Sequence, residues 1–173
     1  MSAAAAARSG EKYPGLRHLD LTVDGPRYLF WGTFGRSFRM AERPPRLVKF
    51  VSAEIEHLPG DRCRGSVELA HQSGVNHLGT AEGGCGDADR LRLAAQAAAN
   101  AVQAAVCGAG DRLEVTGATI TQAFGKRTVF VQVTALYLGQ RRELMGFCLV
   151  DPDPARAAAL AVLNAVNRFL GIG

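Results

Sequence analysis

From residue 46 onward the chain alternates between two hydrophobic rhythms, and it does so twice. Three runs of strand-like character come first: Arg46 to His57, Arg64 to His71, and Asn76 to Glu82. Val67 and Leu69 alternate there with Ser66 and Glu68, as in a half-buried strand. The rhythm then changes to helical spacing from Asp87 to Val106. The same order returns in Leu113 to Phe124, Thr128 to Leu138 and Glu143 to Val150, followed by a helical stretch from Pro154 to Leu170. In this second set Val129, Val131 and Val133 alternate with Phe130, Gln132 and Thr134. Turn residues separate the runs: Pro59-Gly60-Asp61, Ser73-Gly74, Gly125-Lys126 and Gly139-Gln140.

The two helical stretches are copies of one pattern. DRLRLAAQAAANAV begins at Asp89 and DPARAAALAVLNAV begins at Asp153, and eight of the 14 aligned positions are identical. Four of those are alanine matches between alanine-rich segments and carry little weight. The Asp89/Asp153, Arg92/Arg156 and Asn-Ala-Val matches (100–102 with 164–166) carry more. A duplicated unit constrains the fold far more than composition does. The expectation is an α+β fold of two β-β-β-α units. Its six strands form one or two mostly antiparallel sheets, with two helices on one side. Repeat one spans 46–107 and repeat two 111–171, within a domain at 46–173.

The helix ends are marked. Asp151-Pro152-Asp153-Pro154 predicts an acidic N-cap followed by proline at the first helical position, and Gly171 predicts a stop. Leu160, Leu163, Val166 and Leu170 form an apolar stripe on the second helix. The first helix is nearly all alanine on its buried side, which lets it lie close to a neighbour. Asn100 and Asn164 recur inside these apolar helices, where asparagine is disfavoured. They predict hydrogen bonds across the pseudo-twofold axis or to a neighbouring backbone. Residues 1–14 read as a disordered tail, and 15–45 as a β-hairpin extension and linker with no counterpart in the repeat.

Composition sets limits. The 173 residues contain 47% hydrophobic residues and a net charge of +4, enough for a real core and too mild to indicate a nucleic-acid surface. No run is long enough to span a membrane. The four cysteines (Cys63, Cys85, Cys107, Cys148) form no CxxC pair. With no signal peptide, they read as free thiols of a cytoplasmic protein. No metal site or cofactor is expected.

The candidate binding segment is Gly83-Gly84-Cys85-Gly86-Asp87, between the third strand and the first helix. Glycines there permit close backbone approach, and the unpaired N–H groups of a helix start favour a carboxylate or phosphate. The segment fits neither the Walker loop nor the dinucleotide fingerprint. Cys85 is the thiol to test for reactivity. His71 and His77 flank one turn but have no third ligand, and Glu54, Glu56 and Glu68 are carboxylates on strands. No catalytic constellation emerges.

Taken together, the two β-β-β-α units, the glycine-rich start of the first helix and the closing Asn167-Arg168-Phe169-Leu170 resemble a known regulatory domain. It is the leucine-binding domain of 2-isopropylmalate synthase and citramalate synthase. The resemblance covers roughly residues 46 to 171. Glu82-Gly83-Gly84-Cys85-Gly86-Asp87-Ala88 stands where that family has its glycine-containing segment before the first helix, and Gly146, Asp151 and Ala165-Val166-Asn167-Arg168 match the second unit. The chain is too short for the catalytic barrel of those synthases and lacks their Gly-Pro-Val. The resemblance implies a ligand at Gly83, Gly84, Gly86 and Asp87, with Asp151 and Asp153 from the second unit.

Three readings follow. The first is a non-catalytic, homodimeric sensor of a small carboxylate or amino acid. The second is a protein–protein module docking through Tyr28, Phe30, Trp31 and Phe34. The third is an enzyme whose site lies between subunits and uses Cys85, His71 and Glu68.

Overall fold

The computed structural model describes residues 46–172. The tail, the hairpin extension and its aromatic residues Tyr28, Phe30, Trp31 and Phe34 lie outside this range. The described chain runs β1 (Val48–Leu58), β2 (Arg62–His71), β3 (Asn76–Gly84), α1 (Asp87–Val106), β4 (Arg112–Ala123), β5 (Lys126–Tyr137), β6 (Gln140–Leu149) and α2 (Pro154–Leu170). The strands make two separate three-stranded antiparallel sheets, β1-β2-β3 and β4-β5-β6. The α+β duplication expected from the sequence is therefore present.

The two units share irregularities as well as elements. Each first strand carries a bulge, between Phe50 and Ser52 in β1 and between Val115 and Gly117 in β4. A bulge shifts the alternation by one residue and bends the strand. Each sheet turns one face inward. Cys63, Val67 and Leu69 point inward from β2, and Val129, Val131, Val133 and Ala135 from β5. One continuous core joins these rows to the buried faces of both helices.

Alanine dominates those helical faces. In α1 the buried residues are Leu91, Leu93, Ala94, Ala95, Ala97, Ala98, Ala99, Ala101 and Val102. The closest packing occurs at glycines of the third strand of each unit. A methyl group on Gly79 would overlap the Ala97 carbonyl oxygen and the Ala101 nitrogen, and one on Gly146 would overlap the Ala161 carbonyl oxygen and the Ala165 nitrogen. Ala161 and Ala165 are the repeat equivalents of Ala97 and Ala101.

Each helix also reaches the other unit. α1 packs on β2 and β3 and on β4, while α2 packs on β5 and β6 and on β1. β4 is an edge strand, and α1 satisfies part of its backbone. The Val115 amide donates to Gln96 Oε1 at 3.0 Å, and the Leu113 amide to Gln103 Oε1 at 3.1 Å. Covering an edge in this way removes a site for unwanted strand pairing. At the other end, Leu47 N donates to the carbonyl of Ile172, just past α2.

The caps follow the sequence. Asp153 accepts from the amides of Ala155 (2.9 Å) and Arg156 (3.3 Å), and Gly171 closes α2 at φ 67°. Asn100 donates to the Thr80 carbonyl at 2.7 Å, a backbone cap within its own unit. Asn164 is exposed, and no such bond holds it. The two hairpins of the second unit turn through Phe124-Gly125 and Leu138-Gly139, all four residues at positive φ. Such two-residue turns favour asparagine before glycine, because bulky side chains are strained there.

Two stability outcomes follow. Gly79→Ala and Gly146→Ala each lower unfolding free energy by about 3 kcal/mol, the cost of overpacking against a fixed backbone. Gly117→Ala meets only ordinary contacts and stays within about 0.5 kcal/mol. Equal urea midpoints for all three variants contradict the close approach. Phe124→Asn relieves the turn and raises stability by about 1 kcal/mol, visible as a higher midpoint of thermal unfolding.

Candidate functional site

The starts of both helices line one cleft. It measures about 540 Å³ and is bordered by Asp87, Arg90 and Leu91 of α1, by Asp153, Pro154 and Ala155 at the start of α2, and by Ile55, Ile120 and Arg127 from the strands. Two residues singled out in the sequence, Asp87 and Asp153, thus border the same cleft from different units. The others separate. Gly83 and Gly84 line a different hollow of about 310 Å³ with Glu82, Asp89, Arg92 and Gln96. Gly86 is the N-cap residue of α1. Asp151 is exposed in the turn before α2 and borders neither cavity.

The cleft's chemistry is mixed by construction. Arg90 and Arg127 supply two cations, and Asp87 and Asp153 two anions. Ile55, Leu91 and Ile120 give it an apolar wall. The two helix starts are not equivalent. Asp153 occupies the first free amides of α2 with its own carboxylate. At α1 the N-cap is Gly86, which has no side chain to offer, and no side-chain bond caps the helix. The first-turn N–H groups of α1 therefore make no capping side-chain hydrogen bond, while Asp87 and Asp89 set two carboxylates beside the positive end of its dipole.

Sequence reasoning missed Arg90, Arg127 and the apolar wall. Arg90 follows the acidic first turn directly, and a helical projection from Asp87 places it one turn further along the same side. Arg127 sits just past the Gly125 turn, and only the packing of β5 beside α2 reveals its role.

The cysteines correct a second expectation. Cys63 and Cys85, read as free thiols, form a disulfide across 22 positions. The sheet register explains it. Cys63 pairs with His57 on β1 and with Gly83 on β3, so the chain leaving β3 passes beside it two residues later. Cys85, the thiol proposed for reactivity, is therefore bonded. His57 Nδ1 lies 3.5 Å from each of the two sulfurs. His71 and His77 instead stack edge to face with ring centres 6.0 Å apart, and His71 Nδ1 pairs with Ser73 Oγ at 2.8 Å. Glu68 accepts from Asn76, and His71, Glu68 and Cys85 are not joined into a catalytic group.

Cys107 and Cys148 are free and half-buried. Burial pushes both thiols above their usual range, reinforced at Cys107 by the negative charge of Asp111 and partly offset at Cys148 by Arg156. On the outer face of the first sheet, Glu82 sits between Arg64 (2.7 Å) and Arg62 (2.9 Å). The hydrogen bond and charge of Arg64 hold its carboxyl below the usual carboxylate range. The outer face of the second sheet carries an apolar row along β6, beside polar residues such as Gln132 and Glu143. Met145, Phe147 and Leu149 are 70%, 59% and 54% exposed, and Phe147 lies 6.0 Å from the Phe130 ring. Among the described residues, no helix is long and apolar enough to cross a membrane.

Neither a known family model nor a curated protein matches this sequence.

Two measurements test this description. Opening the disulfide with a reductant, or by Cys85→Ser, lowers the unfolding free energy by about 3 kcal/mol, as expected for a closed loop of this length. An unchanged urea midpoint contradicts it. At neutral pH Cys107 and Cys148 stay protonated, so they alkylate more slowly in the folded than in the denatured chain. Their reaction accelerates only as pH rises through their raised folded values. Equal folded and denatured rates at neutral pH contradict the burial described.

Proposed function

We propose that this chain is a non-catalytic regulatory module that binds a small carboxylate, most simply an amino acid with an aliphatic side chain, in the cleft between its two helix starts. The observation that carries the reading is the composition of that cleft. Two arginines, two aspartates and an apolar wall stand beside a helix start without a side-chain cap. A carboxylate is matched by Arg90, Arg127 and the free amides of α1, an ammonium group by Asp87 and Asp153, and an aliphatic side chain by Ile55, Leu91 and Ile120. A few convergent polar groups on an apolar wall are the ordinary form of a small-molecule site. The resemblance to the leucine-binding regulatory domain of the 2-isopropylmalate and citramalate synthases points the same way. A cytoplasmic location goes with this reading.

A second reading concerns assembly. The row Met145, Phe147, Leu149 on the edge strand β6, with Phe130 beside it, is a contiguous exposed apolar surface. It carries no charge that demands an opposite partner, so it suits an isologous contact with a second copy. The regulatory reading therefore includes a homodimer formed through this face.

Calorimetric titration of the full chain with a panel of amino acids tests the first reading. Aliphatic members bind, and Arg90→Ala and Arg127→Ala each weaken binding roughly tenfold or more, in line with about 1.5–3 kcal/mol for a hydrogen bond to a charged group. No binding across the panel, or binding indifferent to both arginines, contradicts it. Light scattering tests the second reading: the wild type elutes as a dimer and Phe147→Glu as a monomer, whereas a monomeric wild type removes it.

A further inference from the structure

His57, Cys63 and Cys85 bring an imidazole nitrogen and two sulfurs within 4.8 Å of one another, from three separate segments of the chain. His57 closes β1, Cys63 opens β2, and Cys85 follows β3 immediately before α1. We propose that these residues form a redox-gated site for a thiophilic divalent cation of the zinc class, of which the disulfide is the closed state. The inference is independent of the cleft reading above.

Three observations carry it. The first is distance. In a tetrahedral ion with metal–sulfur bonds of about 2.3 Å and a metal–nitrogen bond of about 2.0–2.1 Å, the nitrogen and each sulfur stand roughly 3.5 Å apart. His57 Nδ1 already lies 3.5 Å from both sulfurs. Only the sulfur–sulfur bond has to open. The second is the ligand set. Two thiolates and an imidazole form a soft, nitrogen-containing group that selects zinc-like ions over magnesium or calcium. The third is access. Cys63 is fully buried and fixed in the sheet, whereas His57 is exposed and Cys85 partly so. An ion can enter from solvent, and a water molecule can complete a fourth position.

The chemistry balances in two steps. A dithiol reductant gives two electrons and two protons to the Cys63–Cys85 bond and becomes a disulfide itself. The cation then displaces both thiol protons and takes Nδ1 of neutral His57, releasing two protons to solvent. A small-molecule disulfide reverses the order: it accepts two electrons from the thiolates and two protons from solvent to become a dithiol, the Cys63–Cys85 bond re-forms, and the ion is expelled. In reducing compartments, disulfides that do occur are usually transient and redox-sensing, which suits a pair gated in this way. Because Cys85 precedes the α1 N-cap directly, both states tie the start of that helix to β2.

The test uses the full chain, reduced with a phosphine under anaerobic conditions and titrated with cobalt(II) as a zinc surrogate. The proposal expects one cobalt per chain with thiolate-to-cobalt charge-transfer absorption, displaced by one equivalent of zinc and absent from the oxidised protein. His57→Ala, an exposed position, weakens uptake by about tenfold or more. The Cys107→Ser/Cys148→Ser double variant keeps it. Circular dichroism confirms the fold of each sample. The proposal is overturned if the reduced chain takes up no cobalt, folded or not, if His57→Ala binds equally well, or if the double variant loses the absorption.

Discussion

At Gly79 and Gly146 the backbone of a third strand lies against the backbone of its own helix, with no room for a methyl group between them. The rest of the architecture follows from that approach. It requires alanine on the facing side of each helix, which is why the buried faces of α1 and α2 are so poor in large side chains. It also draws each helix far enough into its unit to reach the first strand of the other, so that one core serves both. Close packing of this kind gains stability from dispersion across many short contacts, and it resists adjustment. The helix starts are held in place as a consequence, and the cleft between them is a product of helix–sheet distance.

Duplication alone would give two equal helix starts, and the two units depart from symmetry at that point. α2 begins with Asp153, whose carboxylate satisfies its own first turn. α1 begins with Gly86, which cannot. The outer faces differ as well. The first sheet presents an ion-paired surface of Arg62, Arg64 and Glu82, and the second an apolar row along β6. One copy of the unit thus starts its helix without a side-chain cap and carries the Arg62–Glu82–Arg64 ion pairs outside. The other is capped by Asp153 and carries the apolar β6 row outside.

Much of the fold was legible because local signals agreed with one another. Helix bounds followed from periodicity, from the Asp-Pro start of α2 and from Gly171, and strand order followed from short glycine turns. What was not legible depends on register. Gly79 and Gly146 are 67 residues apart while their helices are offset by 64, so aligning the helices does not superpose the glycines. Cys63 and Cys85 lack any metal or redox spacing motif, and only the pairing of His57, Cys63 and Gly83 across three strands brings them together. The glycine-rich segment was a partial guide. It ends at the cleft through Asp87, but Gly83 and Gly84 face another hollow. Arg127 comes from a hairpin far away in sequence and had no local signal.

The most direct test of the central claim is amide chemical-shift mapping of the full chain with an aliphatic amino acid added in steps. The account predicts saturable shifts concentrated at Asp87, Arg90, Leu91, Arg127 and Ala155, where the helix starts meet. Saturable shifts confined to the hollow around Gly83, Gly84 and Gln96, or no saturable shifts at all, would contradict it.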